Sequence, residues 1–241
     1  MKKLSVVFAM VLYLSPVQAA DYAREKKWAD EVVPGVVVGD PVYLKQANGH
    51  EFLTLFTPAA NAKTAVIVVH GIGIHPDWGL IGVLRSDLAD LGYTTLSIQM
   101  PVLAVEAKSQ DYLPDFPEAH QRLKLAAAWL ADKGYQRIAI VSHSLGSAMV
   151  YGYLAASPDP AIKTWVSLGM SPNENIGALK LNVLDLYGEK DLPEVLKNAP
   201  KRAVSLSAKA GSRQQVMPGA DHFFAGMDKE MVSAVAAFLK N

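Results

Sequence analysis

Ile138-Ala139-Ile140-Val141-Ser142-His143-Ser144-Leu145-Gly146-Ser147-Ala148 contains a fully apolar strand that runs into a small-residue helix with almost nothing between them. A serine at such a turn is held in strained backbone geometry with its hydroxyl above the sheet edge. Strand and helix pass close together there, so the positions two residues either side of the serine must be small. Ser142 and Gly146 meet that demand, although glycine is usual where this chain has Ser142. The helix start supplies free N–H groups and the positive end of its dipole. Ser144 is therefore a candidate nucleophile, and the Leu145 N–H a candidate donor to a tetrahedral oxyanion. The competing reading is a helix N-cap serine.

Outward from this turn the chain alternates strand and helix. Thr64–Val69, Tyr93–Ile98, Arg137–Ser142, Thr164–Leu168, Asn182–Tyr187 and Arg213–Met217 read as strands. Leu80–Leu91, Glu118–Lys133, Ser144–Ala156, Pro193–Asn198 and Met227–Lys240 read as helices between and after them. Such alternation implies a mostly parallel sheet with helices on both faces. A helix over Tyr22–Val33 and a hairpin of Pro41–Gln46 and Glu51–Thr57, turning at Asn48-Gly49, precede that pattern. Pro101–Pro117 is the one roomy insertion, a candidate small cap carrying Leu103, Tyr112, Leu113 and Phe116.

A serine attacks poorly unless a base takes its proton. In strand–serine–helix sites the acid and then the base follow the nucleophile in the chain. His222 is the only histidine after Ser144, and it lies in a loop after a predicted strand. Seven carboxylates separate the two. Asp191 is best placed, in the loop Gly188-Glu189-Lys190-Asp191 at the C-terminal end of a strand, where open α/β sheets gather their sites. Glu189 is the runner-up, and capping of the helix at Pro193 is the competing role for Asp191. The glycine-rich turn His70-Gly71-Ile72-Gly73 follows another strand and makes the Ile72 N–H a second candidate oxyanion donor. Trp78, Met170 and Phe223 fall near the same edge and are candidate substrate-lining residues, each equally suited to the core.

These residues resemble the α/β-hydrolase superfamily. Val68-Val69-His70-Gly71, the turn from Ser142 to Gly146, Gly188-x-x-Asp191 and Asp221-His222 carry the resemblance, in the superfamily's order, over about residues 50–241. It implies a nucleophile, acid and base at Ser144, Asp191 and His222, with oxyanion donors at Ile72 and Leu145. The stretch His70–Trp78 with Thr95–Pro101 is similar to a family of uncharacterised exported bacterial proteins within that superfamily. The implied chemistry is hydrolysis of an ester, thioester or related acyl bond on a small molecule. Acyl transfer to an alcohol and a non-catalytic binding role on the same fold are the alternatives.

Composition bounds the rest. Half the residues are hydrophobic (51%) and the formal charge is zero, with no basic run, so nucleic acid is not an expected partner. Without cysteine there is no disulfide, thiolate nucleophile or cysteine-based metal site. His70-Gly71-Ile72-Gly73 lacks the third glycine of a dinucleotide site, and His75 and Asp77 alone do not make a metal site, so no cofactor or metal is expected. Lys2 and Lys3, the apolar run Leu4–Leu14 and Val17-Gln18-Ala19 read as a secretory leader, residues 1–19, cut after Ala19 or alternatively after Ala20. The run is too short to span a bilayer comfortably. The expected product is a periplasmic protein of one domain over residues 20–241.

Overall fold

The structure is a computed structural model that describes residues 20–156 and 158–240. The expected leader lies outside the described residues. The elements run α1 (Tyr22–Val32), β1 (Asp40–Lys45), β2 (Glu51–Thr57), β3 (Ala65–Val69), α2 (Gly79–Asp90), β4 (Thr94–Ile98), α3 (Phe116–Asp132), β5 (Ile138–His143), α4 (Leu145–Ala156), β6 (Ile162–Leu168), β7 (Asn182–Lys190), α5 (Pro193–Leu206), β8 (Arg213–Asp221) and α6 (Asp228–Leu239). They build an eight-stranded sheet ordered β1-β2-β4-β3-β5-β6-β7-β8. β1 pairs antiparallel with β2, and β2 antiparallel with β4. The pairs from β4 to β8 are parallel. This is the α/β-hydrolase fold.

Strand burial explains the layers. β3 and β5 are buried along their whole length, and successive side chains point to opposite faces. Ile67, Val69 and Ile140 join a core with Leu123, Ala126, Met149 and Val150 of α3 and α4. Val66, Val68 and Val141 join the opposite core with Leu80 and Leu84 of α2 and Met231 and Val235 of α6. α1 covers β2 separately, through Ala29 on Leu53 and Leu55. β4 and β5 lie on either side of β3, so the order of strands reverses there. The loops leaving β3 and β5 therefore face each other across a crevice, the position where open α/β sheets bind ligands.

Four elements differ from the sequence reading. β7 and β8 run on to Lys190 and Asp221, because Gly188 pairs with Met217 and Lys190 with Asp221. α5 continues past Asn198 and through Pro200, because Val195, Ala199, Arg202 and Leu206 keep one buried face. The stretch 101–117 contains a 3₁₀ helix, Ser109–Asp115, that leads into α3. Leu103 and Tyr112 from this stretch sit in the core, where the Leu103 N–H donates to the Tyr112 hydroxyl at 3.1 Å. Only Leu113 of the apolar residues expected on a cap is exposed.

Candidate active site

Ser144 has φ +53, in the left-handed region that a non-glycine residue occupies at a cost of about 1–3 kcal/mol. The surroundings hold it there. Its N–H donates to the Leu168 carbonyl at 2.8 Å, and its carbonyl accepts from the Ser147 N–H at 2.9 Å. α4 crosses the end of β3 so closely that a Cβ on Gly146 would lie 2.2 Å from the His70 carbonyl oxygen. No side chain fits at that position. Ser142 is accommodated by a closed set of hydrogen bonds. Its Oγ accepts Nε1–H of Trp165 at 2.8 Å and lies 2.9 Å from Ser147 Oγ, which donates to the Ser142 carbonyl at 3.0 Å.

The three side chains expected to cooperate meet at this edge. His222 Nε2 is 2.9 Å from Ser144 Oγ, and His222 Nδ1 is 2.6 Å from Asp191 Oδ1. Asp191 begins just past β7 and is fixed by the Leu192 N–H on Oδ1 (2.7 Å) and the Gly188 N–H on Oδ2 (3.1 Å). Burial alone would raise its pKa. The His222 hydrogen bond and charge, with those two N–H groups, outweigh burial and hold it below the ordinary carboxylate value. Glu189 is exposed and turns away, accepting the Gly219 N–H.

Two other histidines frame the site and are uncharged. Burial pushes His143 down to about 4 and His70 down to about 3. The His143 Nε2–H donates to the carbonyl of His222 itself at 2.9 Å, tying the histidine's backbone to β5. His70 Nδ1–H donates to the Gly71 carbonyl at 2.8 Å, while its Nε2 accepts the Met100 N–H at 2.8 Å. That bond fixes the Gly71–Ile72 peptide, and with it the direction of the Ile72 N–H on the opposite side of the same plane. Gly71 lies directly against the serine: a Cβ there would be 3.1 Å from Ser144 Cβ. Leu145 opens α4, where the first N–H groups have no partner within the helix.

Trp78 and Phe223 come together beside His222. Their ring centroids are 5.5 Å apart, and Phe223 is 5.2 Å from the His222 ring and 47% exposed. Met170 differs from expectation. It has no exposed surface and packs in the core on the α3–α4 side, so it offers nothing to a ligand. Gly169 is the residue that sequence reasoning missed. It has φ +59, and a Cβ there would lie 2.9 Å from His222 Nδ1 and 3.3 Å from Asp191 Oδ2. It vacates the volume that the imidazole–carboxylate pair occupies. A glycine directly after a strand was the available signal, but its neighbour is distant in sequence. Among the described residues no group of three potential metal ligands is present, and no helix is long and apolar enough to cross a membrane.

Comparison with known proteins agrees with the architecture. A family described as a protein of unknown function, DUF3530, matches residues 40–115. No curated protein matches the chain. Among solved structures, a dienelactone hydrolase from Anabaena variabilis is 20% identical, with 83% of this chain and 97% of that one covered and a TM-score of 0.66. A lidless α/β serine hydrolase from Xanthomonas campestris is 15% identical, with 85% and 95% covered and a TM-score of 0.65. The esterase Pf2001 from Pyrococcus furiosus is 14% identical, with 83% and 91% covered and a TM-score of 0.67. At these identities the likeness is one of fold: the chain has the α/β-hydrolase architecture.

Proposed function

We propose that the protein is an exported serine hydrolase that cleaves an ester, thioester or related acyl bond on a small molecule. The hydrogen-bonded relay from Ser144 through His222 to Asp191 carries this reading, with links of 2.9 and 2.6 Å. His222 Nε2 accepts the Ser144 proton as Oγ attacks the carbonyl carbon. Asp191 holds Nδ1–H toward itself, which leaves Nε2 free as the base, and stabilises the imidazolium that forms. The negative charge on the substrate oxygen falls between the N–H groups of Leu145 and Ile72. His222 then returns its proton to the leaving group, giving an acyl-Ser144. Water, deprotonated by the same imidazole, releases the acid and restores the hydroxyl.

Trp78 and Phe223 give this site an apolar ledge next to His222, suited to an aromatic or short aliphatic group. The leader expected at residues 1–19 supports a periplasmic setting for this reaction.

The test is turnover of a panel of p-nitrophenyl esters of increasing acyl length. Ser144→Ala should lower kcat by about 10⁴–10⁶ with the melting temperature little changed. Equal turnover by the folded variant would remove the reaction from Ser144 and favour a binding role for the fold.

A further inference from the structure

Asp115 is a buried acid without an assigned task. It occupies the N-cap position of α3, a place where aspartate usually caps the helix, yet its side chain makes no capping bond. It is 5% exposed, and its Oδ2 has no hydrogen-bond partner among the described residues. The carboxylate instead accepts a hydrogen bond from the backbone N–H of Ala20. Ala20 is itself buried, at 7% exposure. It is the residue that becomes the chain's first when the leader is cut after Ala19.

Negative charge outweighs positive charge around Asp115. Asp115 shares its neighbourhood with Glu118 and Glu25 and with a single guanidinium, Arg122. Arg122 is already committed, to Glu25 at 2.9 and 3.1 Å and to Glu118 at 2.5 Å. Burial, then the Glu118 charge, pushes the Asp115 carboxyl up to about 6. A peptide N–H brings one donor and no charge to this place. An α-ammonium brings three donors and a full positive charge, on a group whose ordinary pKa is about 7.7–8.0. A buried carboxylate with a free oxygen gains most from such a partner.

We propose that Asp115 is the counter-ion of the Ala20 α-ammonium made by leader removal, so that processing turns a single peptide N–H bond to this carboxylate into a buried ion pair. The inference rests on the export reading and is independent of the catalytic one. An export endopeptidase hydrolyses the Ala19–Ala20 bond: water gives its hydroxyl to the Ala19 carbonyl and a hydrogen to the Ala20 nitrogen, which then takes up a proton from solvent. The proposal also favours one of the two candidate cuts. Cleavage after Ala20 would put the ammonium at Asp21, whose nitrogen faces the Val102 carbonyl at 2.6 Å, and would leave Asp115 without a partner.

The pair locks the start of α1, and α1 touches the loop beside the candidate site. Arg24 donates from Nη1 to the Leu103 carbonyl at 2.5 Å and from Nη2 to the Gly73 carbonyl at 3.4 Å. Trp28 packs edge-on against His75, centroids 5.8 Å apart.

The experiment compares melting temperatures of protein cut from a fusion to begin at Ala20 and of protein carrying an extra Gly-Ser before Ala20, each with Asp115 and with Asp115→Asn. The Ala20 form should melt about 2–6 °C above the extended form, and Asp115→Asn should shrink that gap to about 1 °C or less. Equal melting of the two Asp115 forms, or a gap that survives Asp115→Asn, overturns the pairing. If Asp115→Asn fails to fold, the α-amine pKa of the Ala20 form decides: a value above 8 supports the pair and an ordinary or lower value removes it. The intact mass of protein recovered from an exporting cell reads the processing separately. A start at Ala20 supports it, and a start at Asp21 or an uncut leader overturns it.

Discussion

Asp185 in the middle of β7 and Asp191 just past its end are both buried carboxylates with a hydrogen-bonded basic partner. Asp185 is fully buried against the equally buried Arg202, with 2.8 Å between Oδ2 and Nε, and Gln214 adds a bond at 2.7 Å. Burial pushes its carboxyl up, with Arg202 working against it. Asp191 is held below the ordinary value, because N–H groups and His222 more than offset its burial. Charge pairing and burial therefore do not distinguish the candidate catalytic acid from the structural one. Position does: Asp185 lies inside the sheet between α5 and β8, whereas Asp191 lies at the strand's carboxyl end with a partner that reaches Ser144.

That comparison predicts opposite behaviour. Asp191→Asn should lower kcat by about 10³–10⁴ through loss of the correct His222 tautomer, with a smaller loss of stability than at Asp185. Gly169→Ala should come next, lowering kcat by roughly 10²-fold, because the added methyl displaces His222 from Ser144 and forces alanine into the left-handed region. Asp185→Leu should leave turnover per folded molecule unchanged but cost about 3–5 kcal/mol in urea unfolding, since Arg202 is left buried and unpaired. A large fall in turnover for folded Asp185→Leu would dissolve the distinction between the two acids.

The smallest effect concerns the neutral histidines. His143 and His70 have folded pKa values of about 4 and about 3. Their unfolded value is about 6.5, so the unfolded chain binds more protons between those limits and stability falls as pH drops through that window. Asp191 has the opposite origin, a lowered acid, and its contribution disappears only as pH falls below about 4. Melting temperature followed from pH 7 to pH 4 should decline, and His143→Gln should flatten the curve.

The comparison also shows what can be read along the chain. Ser144 was legible because its signal is local: an apolar strand, a serine and small residues within one turn. His222 was legible by order alone. Asp191 and Glu189 were distinguishable only by position, and the structure separates them through Glu189's bond to the Gly219 N–H. The ends of β7 and β8 were not legible, because Gly188-Glu189-Lys190 has the composition of a loop and becomes strand only by pairing with the 217–221 segment. Gly169 and the Trp165–Ser142–Ser147 hydrogen bonds were hidden for the same reason: each role is defined by residues distant in sequence. Met170 shows the converse, since adjacency to the sheet edge in sequence did not stop its side chain turning into the core.

The proposed reaction requires Ser144 to be a nucleophile activated by His222. Incubation of the folded protein with a fluorophosphonate, followed by peptide mass mapping, reads this directly. One phosphonyl group on Ser144, with labelling at least about 100-fold slower in His222→Ala, is the predicted result. An unmodified Ser144, or labelling that is indifferent to His222, would contradict it.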